Sequence, residues 1–120
     1  MQNTIESAVI PSLLLKVDGR EYIVEFPLSA IIRAESKTDK PLKSLQDWLN
    51  LQAADVPSIL EAGLSKHHPE VTAEELTAIC DQLNPEALDE VLYALCALAF
   101  PRRMAALEAR AQKGTASPNG

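Results

Sequence analysis

One short stretch constrains the fold more than any other: Leu13-Leu14-Leu15-Lys16-Val17-Asp18-Gly19-Arg20-Glu21-Tyr22-Ile23-Val24-Glu25-Phe26. An Asp-Gly pair between two apolar runs marks a β-hairpin, because a type I′ turn needs positive φ at both central positions. A two-residue turn fixes the register. Val17 faces Arg20, Lys16 faces Glu21, Leu15 faces Tyr22, Leu14 faces Ile23 and Leu13 faces Val24. One face then carries Leu13, Leu15, Val17, Tyr22 and Val24. The other sets Lys16 against Glu21, a cross-strand pair worth up to about 1 kcal/mol. Two strands alone are marginal in water, so the apolar face requires helices over it.

After the hairpin the apolar period changes from two to three and four. Leu28, Ile31, Ile32 and Glu35 suit a short amphipathic helix, followed by a polar stretch over residues 36–40. Pro41 suits the first turn of a second helix carrying Leu42, Leu45, Trp48, Leu49 and Gln52. Asp55-Val56-Pro57 opens a third, with Ile59, Leu60 and Leu64, that ends within residues 63–68. Thr72-Ala73-Glu74-Glu75 is a capping box ahead of Leu76, Ile79, Cys80 and Leu83. Asn84-Pro85-Glu86 supplies an N-cap, a first-turn proline and an acid for the helix dipole. The helix it opens runs to about Phe100, before Pro101. A last Ala-rich helix spans residues 102–112, and residues 114–120 are expected to be disordered. The fold class is therefore α+β, mostly α: an N-terminal hairpin followed by a compact bundle of four to five short helices. Residues 1–11 form an arm, 12–100 the domain, and 101–120 a tail that is helical, then disordered, and basic.

At 120 residues and 13.1 kDa the chain makes one small domain. That length buries roughly two-thirds of the unfolded surface, enough for one core without staples. Tyr22, Phe26, Trp48, Tyr93 and Phe100 are the only aromatics, so Leu, Ile, Val and Ala must build the core. The net charge of −6 is the wrong sign for a protein that tracks a phosphate backbone. It is also uneven: −2 over residues 1–60, −7 over 61–100 and +3 over 101–120. The basic tail has no interleaved aromatics, and a nucleic-acid partner is not expected. Cys80 and Cys96 fit no metal or redox spacing and suggest a reducing compartment. No signal-peptide pattern opens the chain. The longest apolar run, residues 91–100, is about half a membrane span, so a cytosolic protein without a membrane partner is expected.

Candidate chemistry is thin. Adjacent His67 and His68 point apart on a helix, and no further thiol or carboxylate stands at ligand spacing, so they read as a solvated loop rather than a metal site. Both cysteines lie on apolar helical faces, where thiols are inert fillers. There is no GxSxG elbow and no phosphate-cradling glycine loop. Acid pairs such as Glu74-Glu75 and Asp89-Glu90 read as solvated faces. No enzyme, cofactor or metal is expected. The remaining feature is residues 91–100, apolar on every side when wrapped as a helix. Two readings stand: a central core helix, or a seam that faces another chain.

The order of elements resembles a known family. A hairpin ending in Arg20-Glu21-Tyr22-Ile23-Val24-Glu25-Phe26 runs into Leu28-Ser29-Ala30-Ile31 and Glu35. Lys40-Pro41-Leu42, Ile59-Leu60-Glu61-Ala62-Gly63-Leu64 and His67-His68-Pro69-Glu70-Val71-Thr72-Ala73-Glu74-Glu75 follow. This succession, over residues 12–100, is similar to the tail assembly chaperones of long-tailed bacteriophages and gene-transfer agents. The resemblance implies a non-enzymatic morphogenesis factor in the host cytoplasm. It would coat the aggregation-prone tape measure protein until tail tube protein polymerises around it, and be absent from the finished virion. It also implies a frameshift-extended form. The expected partners are the tape measure protein, the tail tube protein and further copies of the chain. A helix-in-groove mode fits, with the acidic stretch keeping the assembly soluble. The expected contact residues are Trp48, Leu92, Tyr93, Leu95 and Phe100, since large aromatics dominate hot spots. The alternatives are a structural tail or head-completion component retained in the virion and, more remotely, a small enzyme.

Overall fold

The computed structural model describes residues 10–116. Strands β1 (Ser12–Val17) and β2 (Arg20–Glu25) pair antiparallel in the register the turn dictates, with Ser12 opposite Glu25 as a sixth pair. Asp18 and Gly19 adopt φ of 52° and 80°, the two positive values of a type I′ turn. Among the described residues six helices follow: α1 (Leu28–Thr38), α2 (Leu45–Leu49), α3 (Val56–Leu64), α4 (Ala73–Asp81), α5 (Leu88–Ala99) and α6 (Pro101–Ala116). Single 3₁₀ turns at Ala53–Asp55 and Pro85–Ala87 lead into α3 and α5. The architecture is α+β and mostly α, a hairpin followed by a compact helical bundle.

Helix α3 is the hub, in contact with β2, α1 and α4. It buries Val56, Ile59, Leu60, Ala62, Gly63 and Leu64, a little over half of its circumference. Gly63 is there because of space: a Cβ would lie 2.7 Å from Val24 Cγ1 and 2.8 Å from Phe26 Cζ. Phe26 in turn meets Trp48 edge-on, with ring centroids 5.5 Å apart. One core therefore runs from the hairpin through α3 to α2.

The stripe expected on the first helix is met at Ile31 and displaced at Leu28 and Ile32. Leu28 and Ile32 face solvent, while α1 buries Ala30, Ile31 and Ala34. Ala30 and Ala34 let α1 lie close to its main neighbour α3, with Ile31 the large side chain that α1 buries. The two helices run antiparallel. Lys37 Nζ lies 2.7 Å from Glu61 in the middle of α3, and Lys40 Nζ lies 2.6 Å from Asp55 just before its start. Helix α1 stops at Asp39, a left-handed residue with φ 56° whose N–H donates to the Glu35 carbonyl.

The second helix also starts later than Pro41 suggests. Leu42 is fully buried in a non-helical segment, and its N–H donates to Glu35 Oε2 at 2.8 Å. That anchor holds residues 40–43 out of helical geometry. Ser44 then caps α2: its Oγ accepts from the Asp47 N–H, and the Asp47 carboxylate accepts from the Ser44 N–H. The expected caps at Thr72 and Asn84 form, with acceptance from the Glu75 and Glu86 amides.

Helix α5 lies between α2 and α6 and buries Leu92, Leu95 and Cys96, while Ala94 stays exposed. Helix α6 covers part of it through buried Met104, whose Sδ is 3.8 Å from Cys96 Sγ. The helix continues through residues 114–116, against the expectation of disorder there; residues 117–120 and residues 1–9 of the expected arm lie outside the described residues.

Candidate interaction surfaces

Of the five expected contact residues, three are corrected. Trp48 and Leu92 are fully buried and Leu95 nearly so, because α2, α5 and α6 close on one another. They are core residues and present no surface to a partner. The buried Trp48 Nε1–H has no hydrogen-bond partner among the described residues. Tyr93 and Phe100 keep partial exposure where α5 passes into α6. The Tyr93 hydroxyl donates to Glu108 Oε2 at 2.6 Å, and that bond, with burial, raises the phenol pKa. The Arg103 guanidinium sits 4.7 Å above the Phe100 ring and donates to the Lys43 carbonyl.

A polar clamp joins the hairpin to the segment between α3 and α4. Residues 67 and 68 lie in the loop between α3 and α4, as expected, with His67 exposed and His68 half-buried, and both rings are engaged by the hairpin. His68 Nε2 accepts from the Ile23 N–H at 2.8 Å, and its ring lies 5.3 Å from that of Tyr22. Ile23 faces Leu14 in a pair whose amides do not bond across the ladder, so its N–H points to the outer edge of β2. His68 therefore closes part of that edge. His67 Nε2 and Lys66 Nζ reach the buried Glu25 carboxylate at 2.9 and 2.8 Å. The Lys66 and His67 bonds hold its pKa below the usual range despite its burial.

Glu75 is likewise more than a solvated face. It accepts from the Thr72 N–H at 3.0 Å, from the Tyr22 hydroxyl at 2.9 Å and from Arg20 at 3.0 Å. The Thr72 amide and then Tyr22 lower its pKa. Two open clefts of about 390 Å³ flank this carboxylate, one against Arg20 and Tyr22, the other against His67 and His68. Both clamp carboxylates, Glu25 and Glu75, are committed to structural donors, which suits a strut better than a general base. Among the described residues no cluster of three His, Cys, Asp or Glu is placed to hold a metal. The thiols are poor nucleophiles: burial raises the pKa of Cys80, and that of Cys96 to about 11.

Two apolar features complete the surface. A cavity of about 220 Å³ opens between the start of α3, the end of α4 and the start of α5, lined by Val56, Pro57, Cys80, Leu83, Leu88 and Val91 among others. Among the described residues four large apolar side chains stand in solvent: Ile10 just before the hairpin, Leu14 on β1, and Leu28 and Ile32 on α1. No helix among the described residues is long and apolar enough to cross a membrane. Compared with family models, curated proteins and solved structures, the chain matches none of the three at significance.

Proposed function

We propose that the chain is a non-enzymatic tail-assembly chaperone that holds the tape measure protein of a long-tailed phage or gene-transfer agent soluble until tail tube polymerisation. The observation that carries the proposal is the exposure of Ile10, Leu14, Leu28 and Ile32 on an acidic chain of net charge −6. Leu28 and Ile32, four residues apart on one face of α1, offer an apolar edge to a partner, and surplus negative charge keeps a coated client dispersed. The order of motifs across residues 12–100 supports the same reading, as do carboxylates engaged in structural bonds and thiols with raised pKa values. The client surface includes Tyr93 and Phe100, the expected contacts that keep exposure, and excludes Trp48, Leu92 and Leu95.

The test is co-expression with the longest helical protein encoded nearby, followed by affinity capture and light scattering of the eluate. A soluble complex with many copies per client is expected. A chain that elutes alone while the client precipitates refutes the proposal. Recovery of the chain from purified particles would assign it to the structural components of the tail or head instead.

A further inference from the structure

Residues 91–100 are apolar on every side, and part of their cover is a helix held by little. Helical geometry breaks at Phe100, with φ −132° and ψ 63°, and Pro101 restarts it as α6. Three contacts lay α6 antiparallel on α5: Arg103 over the Phe100 ring, Met104 Sδ against Cys96 Sγ, and Glu108 accepting from the Tyr93 hydroxyl. Tyr93, Cys96 and Phe100 recur at three and four residues, so they form one seam along α5. From Pro101 to Gln112, α6 buries Met104 and half-buries Leu107, while the other ten residues are exposed. The Arg103 guanidinium adds one tie elsewhere, to the Lys43 carbonyl.

A helix anchored by one buried methionine opens more readily than the core beneath it, because local opening breaks the contacts of that segment alone. Exposed hydrogen bonds such as Tyr93 to Glu108 add little to the hold. Once α6 lifts, the seam is an apolar groove already fitted to a helix. What α6 presents there defines what else fits. Arg103-Met104-Ala105-Ala106-Leu107-Glu108 sets two large apolar side chains three apart, with a cation before the first and an acid after the second. Charge selects as well. Residues 61–100, which include α4 and α5, carry −7, and residues 101–116 carry +3. Asp89 and Glu90 open α5, at the end that antiparallel packing sets beside the second half of α6, where Arg110 stands.

From this we infer that α6 is an intramolecular stand-in for a partner: a basic amphipathic helix of the client takes the seam of Tyr93, Cys96 and Phe100 by displacing α6. The inference rests on the chaperone proposal for the source of that helix, while the exchange itself is a property of this chain. A competitor binds only those chains whose α6 is open, so its apparent affinity is lowered by the open fraction. The chain without a client keeps its seam covered, and yields it to a helix that fits better than α6 does.

The test uses the full chain and a defined competitor, a fluorescein-labelled peptide of residues 101–116. Anisotropy is expected to show weak, saturable binding to the parent. Met104→Ser in the chain loosens its own α6 and should tighten peptide binding about tenfold or more. The same substitution in the peptide, with its charge unchanged, should abolish binding. Leu107→Ser in the chain, at a half-buried site, should act in the same direction by less, and it serves if Met104→Ser fails to fold. Amide exchange of the parent should show α6 opening more often than α3. No peptide binding to the parent or to either variant overturns the inference, as does binding that the chain substitutions leave unchanged. So do α6 amides that exchange only as fast as those of α3. A parent dimer dissolved by Leu107→Ser would give the seam to a second copy and likewise overturn it. Exchange with the peptide but no capture of the tape measure protein would refute the chaperone proposal and leave the seam to a helix of another partner. Capture with a failed peptide result would overturn the exchange alone.

Discussion

Gly63→Ala asks whether the approach of β2 and Phe26 to α3 is as tight as the geometry says. Two effects oppose each other. Alanine in place of glycine inside a helix gains about 1 kcal/mol from backbone entropy. Against this, the new methyl would stand 2.7 Å from Val24 Cγ1 and 2.8 Å from Phe26 Cζ, both too close for real Cβ contacts. Neither neighbour gives way easily. Val24 is a fully buried β-branched residue in a strand, and Phe26 is pinned edge-on against buried Trp48. Overpacking of this kind costs about 1–3 kcal/mol, so the net loss is about 1–2 kcal/mol if the upper half of that range applies. Urea unfolding followed by circular dichroism would read it as a lower midpoint at constant slope. Val24→Ala alone removes two methyl groups and costs about 2 kcal/mol. When both substitutions are combined, the space freed at Val24 admits the methyl added on α3, so the costs should fall short of additive by about 0.5–3 kcal/mol. A neutral or stabilised Gly63→Ala would refute the reasoning, since it is what helix propensity alone provides.

Three further outcomes follow from the polar clamp and the thiols. His68→Ala removes the acceptor of the Ile23 N–H; it should cost about 1 kcal/mol and speed exchange of that amide, while the Leu14 amide on the outer edge of β1 is unaffected. Glu25 and Asp55 have folded pKa values below their unfolded ones, Glu25 through Lys66 and His67, Asp55 through the Gln52 amide and Lys40. Their stabilisation is therefore complete above the unfolded carboxylate pKa of about 4 and is lost as pH falls through the depressed folded values. Acid titration of Glu25→Gln should show a shallower loss than the parent; an identical limb would remove Glu25 from the account. With a thiol reagent at neutral pH, Cys80 should react in the folded state and Cys96, buried with its pKa raised to about 11, only as fast as the protein opens. Equal rates would contradict the burial of Cys96.

What the sequence made legible was local. Asp18-Gly19 settled the hairpin and all five of the expected pairs, because turn geometry and strand register are one constraint. Thr72–Glu75 and Asn84-Pro85 marked their helices because caps are short-range chemistry. Ser44-x-x-Asp47 carries the same kind of signal three residues beyond Pro41, and the proline draws the boundary too early. The rest depends on contacts distant in the chain. His68 meets Ile23 across 45 residues and Glu75 meets Tyr22 across 53, and nothing local announces either bond. The expected contact residues failed for a related reason. Trp48, Leu92 and Leu95 are large and apolar, which signals burial without saying whether the cover comes from the same chain.

The small-residue side of α1 has a consequence for how this protein tolerates change. In most helices the large apolar positions are the ones a mutational scan finds intolerant. Here size does not set the ranking for stability: Ala30 and Ala34, buried beside Ile31, should reject most larger substitutions, while Leu28 and Ile32 should accept polar ones freely. Drift at the two alanines is thus checked by folding, and drift at Leu28 and Ile32 only by whatever those side chains touch outside the monomer. A scan scored once for solubility and once for assembly would separate the two constraints within a single eleven-residue helix.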